Sequence, residues 1–249
     1  MIKKAILFIL VLVVIGIVAA YFTRNILVAR GIEAGSEYGL GSEVSLGAAS
    51  LSLGAGSLEL NSYEVRNPEG FQAENIFVIS HCVLDVAAGT VLDKEVTIDS
   101  VILEGVTLTL EQSNDKGNYN AILSHIRSVD FGASADSDRK FRVDKVALRD
   151  VTVAASLELM GKKQFEKSFT LDNFEISNIG TDGGATIGQI SATVMRAVVA
   201  RALDKAKSEL PGGFGQPIKE QVQQKLDEAK ESAIDKLKDA GGSLLGGDK

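Results

Sequence analysis

Residues 96–110 read VTIDSVILEGVTLTL and carry the pattern from which the sheet can be predicted. Its apolar residues alternate as in a half-buried strand, but the alternation changes phase at Asp99-Ser100. The apolar spacing is therefore i, i+2, i+5 and i+7, at Val96, Ile98, Val101 and Leu103. In a plain strand, a one-residue slip would turn every later side chain to the opposite face. A β-bulge would absorb the extra residue, so we expect a bent strand that keeps one apolar face.

The same spacing recurs along the chain, and further copies begin at Val44, Leu58, Phe77, Phe141 and Phe169. Most copies carry a polar central pair, as in Asn61-Ser62 and Asp144-Lys145. Bulges repeated in successive strands predict a sheet that curls towards its apolar side. The expected fold class is mainly β with helices: a curved antiparallel sheet of bulged strands with an apolar concave face, over residues 31–185.

Turn chemistry and helical spacing predict the other elements. Asn67-Pro68-Glu69-Gly70 is typical of a turn, and Asn118 is a candidate cap for a short helix. Residues 132–140 are expected to form a loose loop. From Ile187 the apolar residues follow helical spacing until Pro211 ends the segment. The helical C-terminal region, 186–240, also contains a second amphipathic helix from about 216, and 241–249 form a flexible tail. The stripe of that second helix favours packing on the sheet. Contact with a membrane or a partner is the alternative, although a narrow, Ala-containing stripe with mixed charges fits membrane contact poorly, and independent disorder is a third.

The longest apolar run stands near the N-terminus, where residues 5–22 (AILFILVLVVIGIVAAYF) contain no charge. As a helix they would span about 27 Å, close to a hydrocarbon core of roughly 30 Å. Lys3 and Lys4 favour a cytoplasmic N-terminus, although Arg24 and Arg30 oppose that bias. We therefore predict a single-pass membrane anchor over residues 1–30. A cleaved signal peptide is the alternative, because Val18-Ala19-Ala20 supplies small residues for a peptidase; a buried core helix would rarely be apolar all round.

Composition argues against several functions. The chain has 249 residues and a formal net charge of −7, which disfavours a nucleic-acid partner because phosphate binding relies on clustered Lys and Arg. Only His81, His125 and Cys82 supply imidazole or thiol groups, and no zinc pattern, P-loop, dinucleotide fingerprint or G-x-S-x-G elbow is present. We expect a protein that is not an enzyme and that uses neither a metal nor a cofactor.

Four segments together carry a family resemblance: the Gly-rich strand VSLGAASLSLGAGSLEL at 44–60, the turn NPEGF at 67–71, the strand VILEGVTLTL at 101–110 and NYNAIL at 118–123. With the N-terminal apolar run, their order resembles the N-terminal region of the AsmA-like envelope protein family over roughly residues 1–125. That family is related to the repeating-β-groove lipid carriers such as TamB and YhdP. The resemblance implies anchoring in the bacterial inner membrane, with the bulk of the chain in the periplasm.

The resemblance also implies a groove that binds or passes lipid acyl chains in envelope maintenance, with membrane lipids as partners. The groove-lining candidates are Val96, Ile98, Val101, Leu103, Val106, Leu108, Phe141, Val143, Val146, Leu148, Phe169 and Leu171. Six to nine strands about 4.8 Å apart span only about 30–45 Å, so one copy is too short for a complete lipid bridge. An envelope protein partner could bind through residues 216–240. The alternative is a structural or adaptor protein whose apolar face is closed by its own C-terminal helices.

Overall fold

The protein is mainly β, as predicted. A computed structural model describes residues 23–52, 54–114, 116–131, 139–210 and Phe214. The strands are β1 (Val44–Ser52), β2 (Ser57–Arg66), β3 (Asn75–Val86), β4 (Glu95–Ser113), β5 (Lys116–Gly117), β6 (Lys140–Leu159), β7 (Lys162–Leu171) and β8 (Phe174–Ile179). The helices of the described ranges are α1 (residues 23–40), α2 (Asn118–Ser128) and α3 (Ile187–Glu209).

All eight strands belong to one sheet with the order β1-β2-β3-β4-β6-β7, in which β5 also pairs with β4 and β8 with β6. The sheet is mixed, so the prediction of an antiparallel sheet is wrong at one place: β4 and β6 are parallel. Antiparallel neighbours can be joined by a short turn, whereas a parallel pair needs a crossover connection. Here β5 and α2 lie between β4 and β6 in the chain and belong to that connection.

A crease crosses the sheet where five neighbouring strands each turn two successive residues away from the apolar core. We call it the transverse crease. It consists of Gly47-Ala48, Asn61-Ser62, Ser80-His81, Glu104-Gly105 and Arg149-Asp150. A second, shorter crease sets Asp99-Ser100 beside Asp144-Lys145. These pairs explain the i, i+2, i+5, i+7 spacing, because the apolar residues on both sides of each pair face the same way.

Along the transverse crease the expected bulges do not occur, because neighbouring strands carry their extra residues directly opposite each other. Ala48 lies opposite Asn61, and the pairing of β1 with β2 keeps the same offset on both sides of the crease. In three of the five strands the crease contains a residue with positive φ: 54° at Ser62, 63° at Gly105 and 51° at Asp150. Register shifts lie outside the transverse crease, as between Val65 and Arg66. One of them, between Asp85 and Val86 of β3, lies opposite Asp99-Ser100, where the sequence predicted a bulge. The transverse crease therefore changes the phase of five strands without moving their register.

Helices α2 and α3 pack on the apolar face of the sheet. Helix α2 contributes Tyr119, Ile122 and Ile126 to the core, and α3 contributes Val198 and Val199 among others. The prediction of a helix from Ile187 that ends before Pro211 is confirmed. A capping box between Thr186 and Gln189 begins it, since each side chain bonds the backbone N–H of the other residue.

Helix α1 lies against the outer edge of the sheet. Side chains of α1 accept hydrogen bonds from the backbone N–H groups of β1: Glu37 from Val44 at 3.1 Å, Glu33 from Leu46 at 2.9 Å and Asn25 from Leu51 at 3.1 Å. The helix crosses residue 30, where the sequence had placed the end of the membrane anchor.

Asn118 is not the cap of α2, because Gly117 occupies the cap position and Asn118 is the first helical residue. Its fully buried side chain instead binds four groups. The amide nitrogen donates to Asn67 Oδ1 at 2.9 Å and to the Thr109 carbonyl at 2.8 Å. The amide oxygen accepts from the backbone N–H groups of Glu111 and Tyr119. The turn at 67–71 and the segment 118–123, two of the four segments in the family resemblance, are thus hydrogen-bonded to each other.

Several predictions fall on residues outside the described ranges: most of the anchor (1–22), most of the loop at 132–140, the second C-terminal helix and the tail 241–249. Within the described ranges, no helix combines the length and apolar character that a membrane crossing requires.

Candidate functional site

An apolar cavity of about 420 Å³ lies between the sheet and helices α1 and α3. Strands β2, β3, β4 and β6 form its floor, and the lining is almost entirely hydrocarbon. This volume is typical of small-molecule sites, which usually occupy about 300–1,000 Å³ and combine apolar walls with a few polar groups.

The cavity floor extends both along the strands and across them, from β2 to β6. On β4 its floor runs from Val96 to Leu103, which corresponds to about 23 Å at roughly 3.3 Å per residue. Exposed lining residues mark its open end, namely Gly31 of α1, Ser52 at the end of β1 and Arg139 before β6. At the other end the floor passes the transverse crease and finishes at Tyr63 and Phe77, both buried.

The structure divides the predicted groove residues into two groups. Seven line the cavity: Val96, Ile98, Val101, Leu103, Phe141, Val143 and Val146. The other five are buried in the packed core and do not line the cavity: Val106, Leu108, Leu148, Phe169 and Leu171. Four of them lie on strands that α2 or α3 contacts, since α2 packs on β4 and α3 on β7, whereas Leu148 lies on β6 between those strands. One continuous apolar sheet face is therefore part cavity and part sealed core.

Helix α1 forms a wall of the cavity that the sequence interpretation missed. Val28, Ile32, Ser36 and Leu40 all line it. Their regular spacing of four residues is a helical stripe and could have shown that the helix has a buried face. The prediction instead assigned residues up to 30 to a membrane anchor, because the preceding run is so strongly apolar.

Helices α1 and α3 approach closely through small residues. A Cβ added at Gly39 would collide with the backbone of Gly188. At this crossing the Ser36 and Ser191 hydroxyl oxygens are 2.9 Å apart. The Tyr63 side chain on β2 lines the cavity beside both serines. Burial raises the pKa of Tyr63 above its ordinary value, and the neighbouring Ser36 and Ser191 hydroxyls oppose that rise in part. Three hydroxyl groups therefore meet at the inner end of the cavity, where the sequence had indicated only hydrocarbon.

Cys82, the single cysteine of the chain, lies on the cavity floor opposite Leu60 and Leu103. Burial raises the pKa of its thiol to about 12, so the thiol is uncharged at neutral pH. His81 is the neighbouring residue of the transverse crease, and its Nδ1 lies 2.9 Å from Asn61 Oδ1 on the outer face. The described residues include no group of three or more His, Cys, Asp or Glu that could hold a metal ion.

The fold and the cavity define a mainly β protein with a half-open apolar site. No protein-family model matches the chain, and no curated protein matches it.

Proposed function

We propose that this chain binds lipid acyl chains in its cavity, as a membrane-anchored protein of the bacterial envelope related to the AsmA-like family. The apolar cavity, whose exposed lining residues Gly31, Ser52 and Arg139 mark its open end, carries the proposal. Each methylene group moved from water into such a site contributes about 0.8 kcal/mol, so ten would contribute about 8 kcal/mol before the cost of ordering the chain. The proposal involves no catalytic step and no cofactor.

The position of α1 supports a membrane location for the cavity mouth. Val28 and Gly31, in the N-terminal half of α1, line the cavity, and the uncharged run of residues 5–22 directly precedes this helix in the sequence. If that run is an inner-membrane anchor, the mouth lies near the bilayer on the periplasmic side. A chain taken from the membrane would then enter beside the helix that holds the protein there.

Lipid that copurifies with the protein tests the proposal. Full-length protein would be purified in a mild detergent and extracted with organic solvent, and bound lipid would be quantified by mass spectrometry. Leu84→Trp places a larger side chain in the cavity and should lower the lipid content at least several-fold. Leu92→Trp is the matched control, because Leu92 is 89% exposed and lies outside the cavity lining. Absence of lipid from the wild type, or equal lipid in the two variants, would contradict acyl-chain binding.

Location needs a separate test. A reporter active only outside the cytoplasm, fused after Lys249, should be active, and the protein should stay with membranes after alkaline extraction. Release into the periplasm with a new N-terminus at Tyr21 would establish the signal-peptide alternative and remove the anchor from the proposal.

A structural or adaptor role is the second candidate, and the sealed part of the apolar face favours it. Beneath α2 and α3 the core is closed, with Leu108 and Val153 fully buried. If the whole face served only as a core, the folded protein would carry no lipid, and an envelope partner would bind elsewhere, as through residues 216–240. A stable lipid-free wild type would support this role.

A further inference from the structure

The inner end of the cavity differs chemically from the rest of its lining. Ser36 from α1, Tyr63 from β2 and Ser191 from α3 bring three hydroxyl groups together there. Ser36 has no exposed surface, whereas Ser191 is only partly buried and Tyr63 retains 8% of its surface. Ser36 therefore stands behind the other two and holds Ser191 in place, and Tyr63 and Ser191 are the groups that a ligand can reach.

The three hydroxyl groups can form more hydrogen bonds than they form with one another. Each hydroxyl supplies one donor hydrogen and two acceptor lone pairs, so the three together supply three hydrogens and six lone pairs. Even if every hydrogen were used within the cluster, three lone pairs would remain. If the three hydroxyl groups instead form two hydrogen bonds in an open chain, one hydroxyl hydrogen is also left to donate to a ligand. The cluster can therefore accept from a ligand hydroxyl or donate to a ligand carbonyl.

The distribution of charge along the cavity disfavours an ionised ligand group at the hydroxyl cluster. Of the described residues that line the cavity, Arg139 is the one with a charge, and it lies at the mouth. A carboxylate or phosphate at the inner end would be buried without a cation, which costs far more than burying a neutral hydrogen-bonded oxygen.

We infer that the cavity selects an uncharged lipid with a hydroxyl or carbonyl oxygen at the end that enters first, and that Tyr63 and Ser191 bind this oxygen. The inference rests on the proposed function, because it specifies the ligand class for the same cavity. Ser36 is a positioning residue that acts through Ser191. The apolar body of the ligand lies along β2, β3 and β4, with its other end towards Arg139.

Competition binding tests the inference on the full-length protein held in an amphipathic polymer after removal of lipid. The fluorescent apolar probe N-phenyl-1-naphthylamine would occupy the cavity, and 1-dodecanol, 1-chlorododecane and dodecanoate at pH 8 would compete with it. Dodecanol should bind about 3- to 10-fold more tightly than chlorododecane, the range expected for one neutral hydrogen bond. Dodecanoate should compete less well than dodecanol, because its carboxylate would bring a charge to the inner end of the cavity.

Substitutions at the hydroxyl cluster test whether Tyr63 and Ser191 bind the ligand oxygen. Tyr63→Phe/Ser191→Ala should remove the preference for dodecanol and leave probe and chlorododecane affinities within about twofold of the wild type. Ser52→Ala, which removes an exposed hydroxyl at the mouth, is the matched control and should keep the preference. If circular dichroism shows that the double variant is unfolded, Ser191→Ala alone should still reduce the preference.

The outcomes separate the inference from the proposed function. A wild-type protein that binds the probe but does not prefer dodecanol, or prefers dodecanoate, overturns the inference and leaves acyl-chain binding in place. A preference that persists in the folded double variant also overturns it, because the oxygen would then bind elsewhere. A wild type that binds neither probe nor any of the competitors refutes both.

Discussion

Aspartate substitutions at two leucines that pair across neighbouring strands should have different effects on stability, because one leucine lines the cavity and the other lies in the packed core. Leu103 of β4 and Leu148 of β6 are direct partners across the parallel strand pair. Leu103 lines the cavity, whereas Leu148 has no exposed surface and does not line it. We expect Leu148→Asp to unfold the protein, and Leu103→Asp to leave it folded but depleted of lipid.

The magnitudes follow from what surrounds each carboxylate. At Leu148, loss of the packed side chain costs about 2–5 kcal/mol, and an unpaired buried carboxylate adds several more. The sum is comparable with the whole stability of a typical domain, about 5–15 kcal/mol. At Leu103, a cavity of about 420 Å³ has room for water, which occupies about 30 Å³ per molecule in the liquid. The carboxylate is then hydrated, and the cost is mainly the lost apolar burial, about 2–3 kcal/mol.

Urea unfolding followed by circular dichroism would be measured together with lipid content on the same preparations. Leu103→Met and Leu148→Met are the matched controls, because a swap of nearly equal volume costs less than about 1.5 kcal/mol at either position. Equal destabilisation by the two aspartates would refute the reasoning, since the space beside Leu103 would then be as inaccessible to water as the core. A folded Leu103→Asp protein with full lipid content would place the lipid elsewhere.

Three further predictions concern stability. Because burial raises the thiol pKa of Cys82 from 9.0 to about 12, the unfolded chain ionises first as pH rises. The wild type should therefore lose about 1.4 kcal/mol per pH unit relative to Cys82→Ala between pH 9 and 12, and nothing below that range; parallel urea midpoints for the two proteins would contradict this. Asn118→Leu removes four hydrogen bonds of a buried amide and should destabilise by about 2–5 kcal/mol in urea unfolding, whereas an unchanged midpoint would show that the bonds are replaced. Gly105→Ala places a Cβ 2.8 Å from the Ser80 hydroxyl at a φ of 63° and should cost about 1–3 kcal/mol in the same assay. Gly89→Ala, in open space, is its control, and equal urea midpoints for the two alanine variants would mean that the crease does not depend on glycine.

The strand faces were predictable because the signal is local. The polar pair Asn61-Ser62 separates Leu60 from Tyr63, and the change of phase can be read within one strand. How the change is accommodated was not predictable, since a bulge in one strand and a crease matched across neighbours produce the same spacing. Only the pairing of β2 with its neighbours distinguishes them. The parallel pair of β4 and β6 is likewise a property of the crossover and not of either strand.

The site was predictable only in part, because the helices and not the strands decide which apolar residues face a cavity. Leu103 and Leu148 occupy equivalent places in two copies of the same spacing, yet only Leu103 borders empty space. The hydroxyls of Ser36 and Ser191 meet from residues 155 apart in sequence. Neither fact leaves a mark in any short window of the chain.

The contact of α1 with β1 also restricts how copies of this protein can associate. An outer strand with free N–H groups is a template for strand addition by another chain. On β1, however, Glu33, Glu37 and Asn25 already accept from three of these groups. At the opposite margin β7 begins with Lys162-Lys163, and a charged lysine pair disfavours an incoming strand. Growth into a longer continuous sheet from the β1 side would first require α1 to leave, so the fold favours a discrete unit over self-propagating polymers.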